Sequence, residues 1–253
     1  MMKSLYILFF NYFGEKIEKR QFTETPVYIG GCGRSGTTLL LSILSAHNNI
    51  FGCPTELNLF DGAEETGSGI KNPKFYRLYR TFIVSKIKAS AKRYCEKSPS
   101  NIHYIELIDK LHNGNFKFIH IVRDGRDVIL SRHPKGKGKY WVDPERWIAD
   151  VSNGLKYMEH PSVYTIRYED LVGQYRETIE SVCHFLEIPV SKEILNWHQF
   201  ATVRQNNALY SKITEISTSP IGKWEQPENG ERVRLLTENP EAVALLKKFR
   251  YLS

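Results

Sequence analysis

The residues best equipped for chemistry are Gly30-Gly31-Cys32-Gly33-Arg34-Ser35-Gly36-Thr37-Thr38. Glycines let a backbone curl until successive N–H groups point inward at an anion. Pro26 to Gly30 reads as a short buried strand before this loop, and Thr38 to Ala46 as an apolar helix after it. That helix adds its positive N-terminal end, and the hydroxyls of Thr37 and Thr38 can donate to the same anion. Strand, glycine loop and helix together describe a phosphate cradle. The ATP-binding motif has the Gly31-x4-Gly36 spacing but needs Lys where Thr37 stands. The cation has moved into the loop, to Arg34.

A second candidate lies in Val122-Arg123-Asp124-Gly125-Arg126-Asp127-Val128-Ile129-Leu130-Ser131. Residues 116–122 alternate and then saturate with apolar side chains, as a central strand does. Arg123 leaves that strand at its carboxyl end, where open α/β sheets bind ligands. A guanidinium can grip a phosphate with two parallel hydrogen bonds. Ser131 follows about two helical turns later, on a helix expected over 126–132, and offers a hydroxyl.

These segments resemble the PAPS-dependent sulfotransferase family, whose donor is 3′-phosphoadenosine 5′-phosphosulfate (PAPS) and whose nucleotide product is 3′,5′-ADP. Gly33-Arg34-Ser35-Gly36-Thr37-Thr38-Leu39 is similar to the family's 5′-phosphosulfate loop, in the Arg-Ser-Gly-Thr-Thr form of tyrosylprotein and many bacterial members. Cytosolic members usually carry Lys at the position of Arg34. Arg123 and Ser131 match the family's 3′-phosphate motif. Three weaker segments follow in family order. Glu96-Lys97-Ser98-Pro99 resembles the lysine segment that precedes the 3′-phosphate motif. Tyr168-Glu169-Asp170-Leu171-Val172 resembles the strand and helix that close the fold, and it places Tyr168 among the nucleotide-binding residues. Ile221-Gly222-Lys223-Trp224 resembles the late loop that folds over the nucleotide, with Lys223 and Trp224 as contacts. The resemblance runs over about 26–235.

What the resemblance implies is sulfuryl transfer to a hydroxyl by in-line displacement. Arg34 and Lys97 become the charge stabilisers. Cytosolic members use a His two residues after the lysine as general base, and here that position is Pro99. In the tyrosylprotein type a Glu shortly after the first helix serves instead. Glu56 fits that place with a one-residue shift, and His47 is the alternative base. The acceptor is a small-molecule, carbohydrate or peptide hydroxyl. No metal and no nucleic-acid partner are expected. A phosphate-loop kinase or nucleotide hydrolase is the competing function, weakened by Thr37 and by a second phosphate motif that ATP does not need.

The elements that must position these residues read as one α/β domain of 253 residues. Strands at 26–30, 116–122 and 163–168 alternate with helices at roughly 72–92, 101–112, 144–159 and 174–187. That order implies a phosphate-loop type, three-layer α/β/α fold with a central, mainly parallel sheet. Residues 1–25 are expected to form a helical extension, with an amphipathic helix packed on the domain; a loose membrane-surface contact is the less favoured alternative. Residues 200–233 show little periodicity and read as a long lid loop.

Composition agrees. The chain is 41% hydrophobic and 25% charged, as globular proteins are. Thirty-five Lys and Arg against 28 Asp and Glu give +7, a balance that favours an anionic ligand. Cys32, Cys53, Cys95 and Cys183 show no metal-ligand spacing, so idle thiols in a reducing, cytoplasmic setting are expected. Leu5 to Phe10 is apolar but far short of the ~20 residues that span a bilayer.

Overall fold

The structure is a computed structural model, and it describes residues 2–66, 69–71, 73–133, 136, 138–203, 205–206, 211–212, 216 and 221–252. Its strands are β1 (Val27–Gly30), β2 (Ile50–Gly52), β3 (Glu64–Thr66), β4 (Gly69–Lys71), β5 (Arg93–Lys97), β6 (Lys117–Val122), β7 (Val163–Arg167), β8 (Gln205–Asn206) and β9 (Ser211–Lys212). The helices α1 to α6 are Met2–Gln21, Thr37–Leu44, Phe75–Val84, Ile105–His112, Gly125–Ile129 and Pro144–Leu155. Helices α7 to α12 are Tyr168–Gly173, Tyr175–Leu186, Lys192–Leu195, Trp197–Phe200, Gly230–Thr237 and Pro240–Lys248.

Five strands form one sheet in the order β2-β5-β1-β6-β7, and every neighbouring pair is parallel. Helices cover both faces, which makes the expected three layers. The period-two alternation of a strand assigns the layers. Val27, Ile29, Ile119 and Ile121 pack toward α2 and α8, while Tyr28, Tyr94 and Phe118 pack toward α3 and α4. A third apolar cluster gathers Val122, Val128, Trp147 and Leu246 from β6, α5, α6 and α12.

Several sequence expectations shift. The helix expected over 72–92 ends at Val84, because β5 begins at Arg93 and needs a connection. The helix expected over 126–132 is α5, a single turn and a half ending at Ile129. Ser131 therefore follows the helix instead of riding on it. The helix expected over 144–159 stops at Leu155, and turns fill the rest. Parts of the long loop fall outside the described residues. The rest holds the β8–β9 hairpin and two 3-10 turns, and α11 begins at Gly230.

Strands β2 and β5 have no counterpart in the sequence reading. β5 is Arg-Tyr-Cys-Glu-Lys, yet all five residues are buried. Its charges survive burial because each has partners. Arg93 donates to Glu24 and to the Leu186 carbonyl. Glu96 accepts from Ser98, Asn101 and the Leu57 amide. Burial still raises the Glu96 pKa, and these three donors pull it back. All four cysteines are buried and unbridged, and burial pushes each thiol up.

Two histidines, His120 buried and His112 half-buried, give the fold a pH dependence. His112 meets the Tyr28 hydroxyl at 2.8 Å, and His120 lies inside the sheet against Gly154, where a Cβ would come within 2.1 Å of its ring. Burial pushes both down to about 4. The folded state holds both rings neutral, so their contribution is complete above the unfolded value near 6.5. Below that value the unfolded chain takes up protons that the folded chain refuses. Stability should then fall by about 1.4 kcal/mol per pH unit for each ring as pH drops toward 4. Thermal unfolding followed by circular dichroism should show the midpoint declining across this window. His112→Asn should roughly halve the slope, and an unchanged midpoint down to pH about 4.5 would contradict this account.

Candidate functional site

Every strand of the sheet delivers a residue to its carboxyl end. β1 runs into the glycine loop, and β5 ends on Lys97. β6 is followed by Arg123, β7 by Tyr168, and β2 by a short loop carrying Glu56. Parallel register aligns them: Ile29 lies opposite both Lys97 and Ile119.

The loop's shape depends on glycine at two places. Gly31 has φ +147°, and a Cβ there would stand 2.4 Å from the Ile121 carbonyl oxygen. Gly36 has φ +96°, and its Cβ would strike the Tyr168 ring at 2.5 Å. Tyr168 thus presses directly on the loop. Gly36 is also the N-cap of α2 and supplies no capping side chain, so the helix's first N–H groups face the cradle. Arg34 adopts φ +73°, a conformation that glycine favours. Ser35 is wholly buried, and its Oγ has no hydrogen-bond partner among the described residues; the same holds for Arg34 Nε. Buried polar atoms without partners are costly. An anion in the loop would satisfy them, so these residues fit a phosphate or phosphosulfate group.

Arg123 crosses to the loop and donates from Nη1 to the Arg34 carbonyl at 3.1 Å. Its guanidinium lies over the Tyr168 ring, 4.6 Å from the centroid. Trp147 donates to the Arg123 carbonyl, and Glu169 accepts from the Asp124 amide, so the segment is pinned on two sides. Burial lowers the Arg34 pKa, with the nearby Arg123 charge adding to the effect. The thiol of Cys32 and the small Gly33 face α6 and its approach, where Arg146 and Trp141 lie near the loop.

Lys97 joins three elements. Its side chain is 4% exposed. Its ammonium donates to Thr38 Oγ1 at 3.1 Å and forms an ion pair with Glu56 Oε1. Thr38 belongs to the loop's helix, and Glu56 is on the other side of the lysine. The structure therefore brings together Arg34, Ser35, Thr37, Thr38, Lys97, Glu56, Arg123 and Tyr168. His47 lies elsewhere: its Nδ1 accepts from the Asn49 amide and its Nε2 reaches the Pro189 carbonyl at 3.0 Å. Both ring nitrogens are engaged in holding the loop before β2.

Of the late segment, Ser219 and Pro220 lie outside the described residues, while Ile221 to Trp224 are described. Asp127 clips this segment to α5. Its Oδ2 accepts from the Gly222 amide at 2.8 Å and its Oδ1 from the Trp224 amide at 3.2 Å. The Trp224 ring stacks on the Arg126 guanidinium at 3.5 Å. Arg126 is held in turn by Asp124 and the Tyr251 carbonyl. Lys223 is exposed. Asp127, Arg126 and Glu169 also build the site, and the sequence does not mark them as site residues. The repeated Arg-Asp pattern of 123–127 was the available signal, but nothing in it says that Asp127 reaches a segment 95 positions away.

The strand, glycine loop and helix, with an arginine at the neighbouring strand end, define a phosphate-loop α/β protein. Comparison sharpens this. Residues 26–192 match the sulfotransferase family, and the chain belongs to that family. It is similar to a putative protein-tyrosine sulfotransferase of Caenorhabditis briggsae, 28% identical over 228 residues, covering 79% of this chain and 81% of that protein. It is also similar to the protein-tyrosine sulfotransferase of Drosophila melanogaster, 25% identical over 88% of this chain and 52% of that one. The chain thus spans about half the length of the Drosophila relative. Among solved structures, the sulfotransferase domain from the curacin biosynthetic pathway superposes with a TM-score of 0.62 at 20% identity, over 91% of this chain and 99% of that one. A mouse sulfotransferase complexed with PAP gives 0.58 at 13% identity, over 90% and 89%. These two share the fold.

The Asp127 clip generates a prediction. Asp127→Ala removes two charge-assisted acceptors, each worth about 1.5–3 kcal/mol. Amide exchange at Gly222 and Trp224 should quicken at least about tenfold, while the α2 amides stay protected. Unchanged exchange at both amides would show that the Trp224–Arg126 stack alone holds the segment.

Proposed function

We propose that this chain transfers the sulfuryl group of PAPS to a hydroxyl acceptor. The observation that carries the reading is the buried Lys97 ammonium, held between Thr38 of the phosphate loop and the Glu56 carboxylate. Membership of the sulfotransferase family supports it.

The donor, when bound, supplies an S–O bond to phosphate that breaks as the acceptor oxygen bonds to sulfur. The loop amides, Gly33, Ser35, Gly36, Thr37 and Thr38 would hold its 5′-phosphosulfate. Arg123 and Ser131 would hold the 3′-phosphate, with Tyr168 and Trp224 near the nucleotide. Arg34 and Lys97 then offset the negative charge that gathers on the departing phosphate oxygen. Preorganised cations in a water-poor site are effective at this because they need no reorganisation. Glu56 takes the acceptor proton. Its Oε1 is committed to Lys97, which leaves Oε2 to face the hydroxyl. Base and cation sit one hydrogen bond apart, so proton removal and leaving-group stabilisation happen at one place. The 221–224 segment closes over the nucleotide, with Lys223 reaching a phosphate, and limits water in the site. Nucleotide 3′,5′-ADP is the product left in the cradle.

The acceptor class follows less directly. Relatives named protein-tyrosine sulfotransferases favour a peptide tyrosyl hydroxyl. A panel of tyrosyl peptides, sugars and phenols with labelled PAPS orders the candidates by turnover.

Two measurements test the reading. Calorimetry should show 3′,5′-ADP binding far more tightly than 5′-AMP or ATP. Arg123→Ala should cost about 1.5–3 kcal/mol of that affinity, the scale of a hydrogen bond to a charged group. Equal binding of 3′,5′-ADP and 5′-AMP would return the chain to the kinase or hydrolase reading. Glu56→Gln should lower kcat about 10²–10⁴-fold with 3′,5′-ADP affinity near wild type. A variant that keeps most of its turnover would remove Glu56 from the role of base.

A further inference from the structure

Helix α1 is built from two unlike halves. Residues 4–13, Ser-Leu-Tyr-Ile-Leu-Phe-Phe-Asn-Tyr-Phe, are apolar or aromatic on almost every side; residues 14–21, Gly-Glu-Lys-Ile-Glu-Lys-Arg-Gln, are mostly charged. A helix that is apolar all round requires cover all round. Helix α3 covers only one stripe, through Ile17, the close Gly14–Tyr79 crossing, and the Tyr6–Tyr76 ring pair at 6.4 Å. Leu5, Leu8, Phe9, Tyr12 and Phe13 on the other side, and Tyr6 at the edge of the covered stripe, stand 43–61% exposed. These six account for most of the large exposed hydrophobic side chains among the described residues, and they form one patch. A contiguous apolar patch of this kind marks an interaction surface.

The charges beside the patch say what it meets. The charged half of α1 runs on toward the segment that follows α3, since Gln21 donates to the Lys88 and Ala91 carbonyls. That places Lys16 and Arg20 of α1 at the same end as the exposed Arg80, Lys86 and Lys88. Lys19 is paired with Glu15, and Glu18 turns inward, where burial raises its pKa. The outcome is an aromatic half-helix with a collar of cations at one end. The apolar half is about 15 Å long, half of the ~30 Å hydrocarbon core of a bilayer. Phenylalanine, tyrosine and leucine followed by lysine and arginine is the composition of helices that sit in a membrane interface. No helix among the described residues is long and apolar enough to cross a membrane, which agrees with entry into one leaflet. A second copy of this chain would bring another +7 charge to the same place, whereas an anionic lipid surface is complementary to it.

We propose that the aromatic face of α1 docks on an anionic lipid surface, with its apolar half entering one leaflet and Lys16, Arg20, Arg80, Lys86 and Lys88 at the headgroups. Docking rests on this face alone and is independent of the sulfuryl-transfer reading.

The test is flotation of the full chain with vesicles of phosphatidylcholine alone, or of phosphatidylcholine with one quarter phosphatidylserine. The wild type should float with the mixed vesicles and release as salt is raised. The variant Leu8→Ser/Phe9→Ser/Phe13→Ser changes only exposed positions. It should lose more than about tenfold of the vesicle-bound fraction while keeping its affinity for 3′,5′-ADP. Lys16→Glu/Arg20→Glu should lose the preference for phosphatidylserine. A wild type that floats with neither vesicle overturns the proposal without reference to any variant. Flotation that survives the triple substitution overturns it too. A dimer in sedimentation velocity that the triple substitution dissociates, together with no flotation, assigns the patch to a second copy of the chain instead.

Discussion

A buried ammonium group needs oxygen atoms around it, and that requirement at Lys97 organises the site. Removing an unpaired cation from water costs several kcal/mol. Lys97 is the last residue of β5, near the centre of the sheet, with its side chain almost fully enclosed. Thr38 Oγ1 from the phosphate loop's helix and the Glu56 carboxylate from the loop after β2 meet its ammonium. One charge therefore ties three strand ends together. A shift in any of them would leave either a buried cation or a half-buried carboxylate without its partner.

The same logic extends along β5. Its neighbour Glu96 points to the opposite face, as strand alternation requires. There it gathers Ser98, Asn101 and the Leu57 amide, which fixes both the turn after β5 and the chain just beyond Glu56. Asn101 also donates to the Ile29 carbonyl, next to the start of the glycine loop. A strand of five mostly polar residues thus acts as a bracket on two faces. Its polar groups position the residues on either side of it, and hydrophobic packing from β1 and β6 supplies the core.

This explains what the sequence made legible. The glycine loop could be read because its chemistry is local: glycine, hydroxyl and cation lie within nine consecutive residues, between a strand and a helix. Arg123 could be read because a strongly apolar strand, Phe118 to Val122, announces the sheet's carboxyl end. β5 is not legible because Arg93, Glu96 and Lys97 break every apolar pattern, and the burial of Arg93 and Lys97 rests on partners 41 to 93 positions away. Ser131 was placed on a helix because 126–132 has a helical spacing, but Asp124 caps a helix that lasts only to Ile129. The first half of α1 departs from the amphipathic expectation, with large apolar side chains on its exposed side as well as its covered one. Its outward aromatic face is illegible as such, because sequence alone does not say which of two apolar sides is covered.

The electrostatics of the loop are unfavourable as they stand, and that has a physical consequence. Arg34 and Arg123 lie close enough that Arg123, after burial itself, lowers the Arg34 pKa. Lys97 adds a third cation at the next strand end. Like charges gathered in a partly desolvated cradle repel, and the Lys97–Glu56 ion pair offsets part of that repulsion. Meanwhile Ser35 Oγ and Arg34 Nε stay buried without partners among the described residues. Both costs have one remedy, an anion carrying more than one negative charge, set among the loop amides, Arg34 and Arg123. Stability of the chain is therefore coupled to occupancy of the cradle: a ligand that binds the folded state alone stabilises it by mass action, and here it would also remove repulsion already present. The Asp127 clip stands beside this charge: burial raises its pKa, while the hydrogen bond from the Gly222 amide and then the Arg123 charge lower it. A bound anion would offset part of the Arg123 charge that acts on Asp127, so the Gly222–Trp224 segment lies within reach of the ligand's charge through Asp127 as well as through any direct contact.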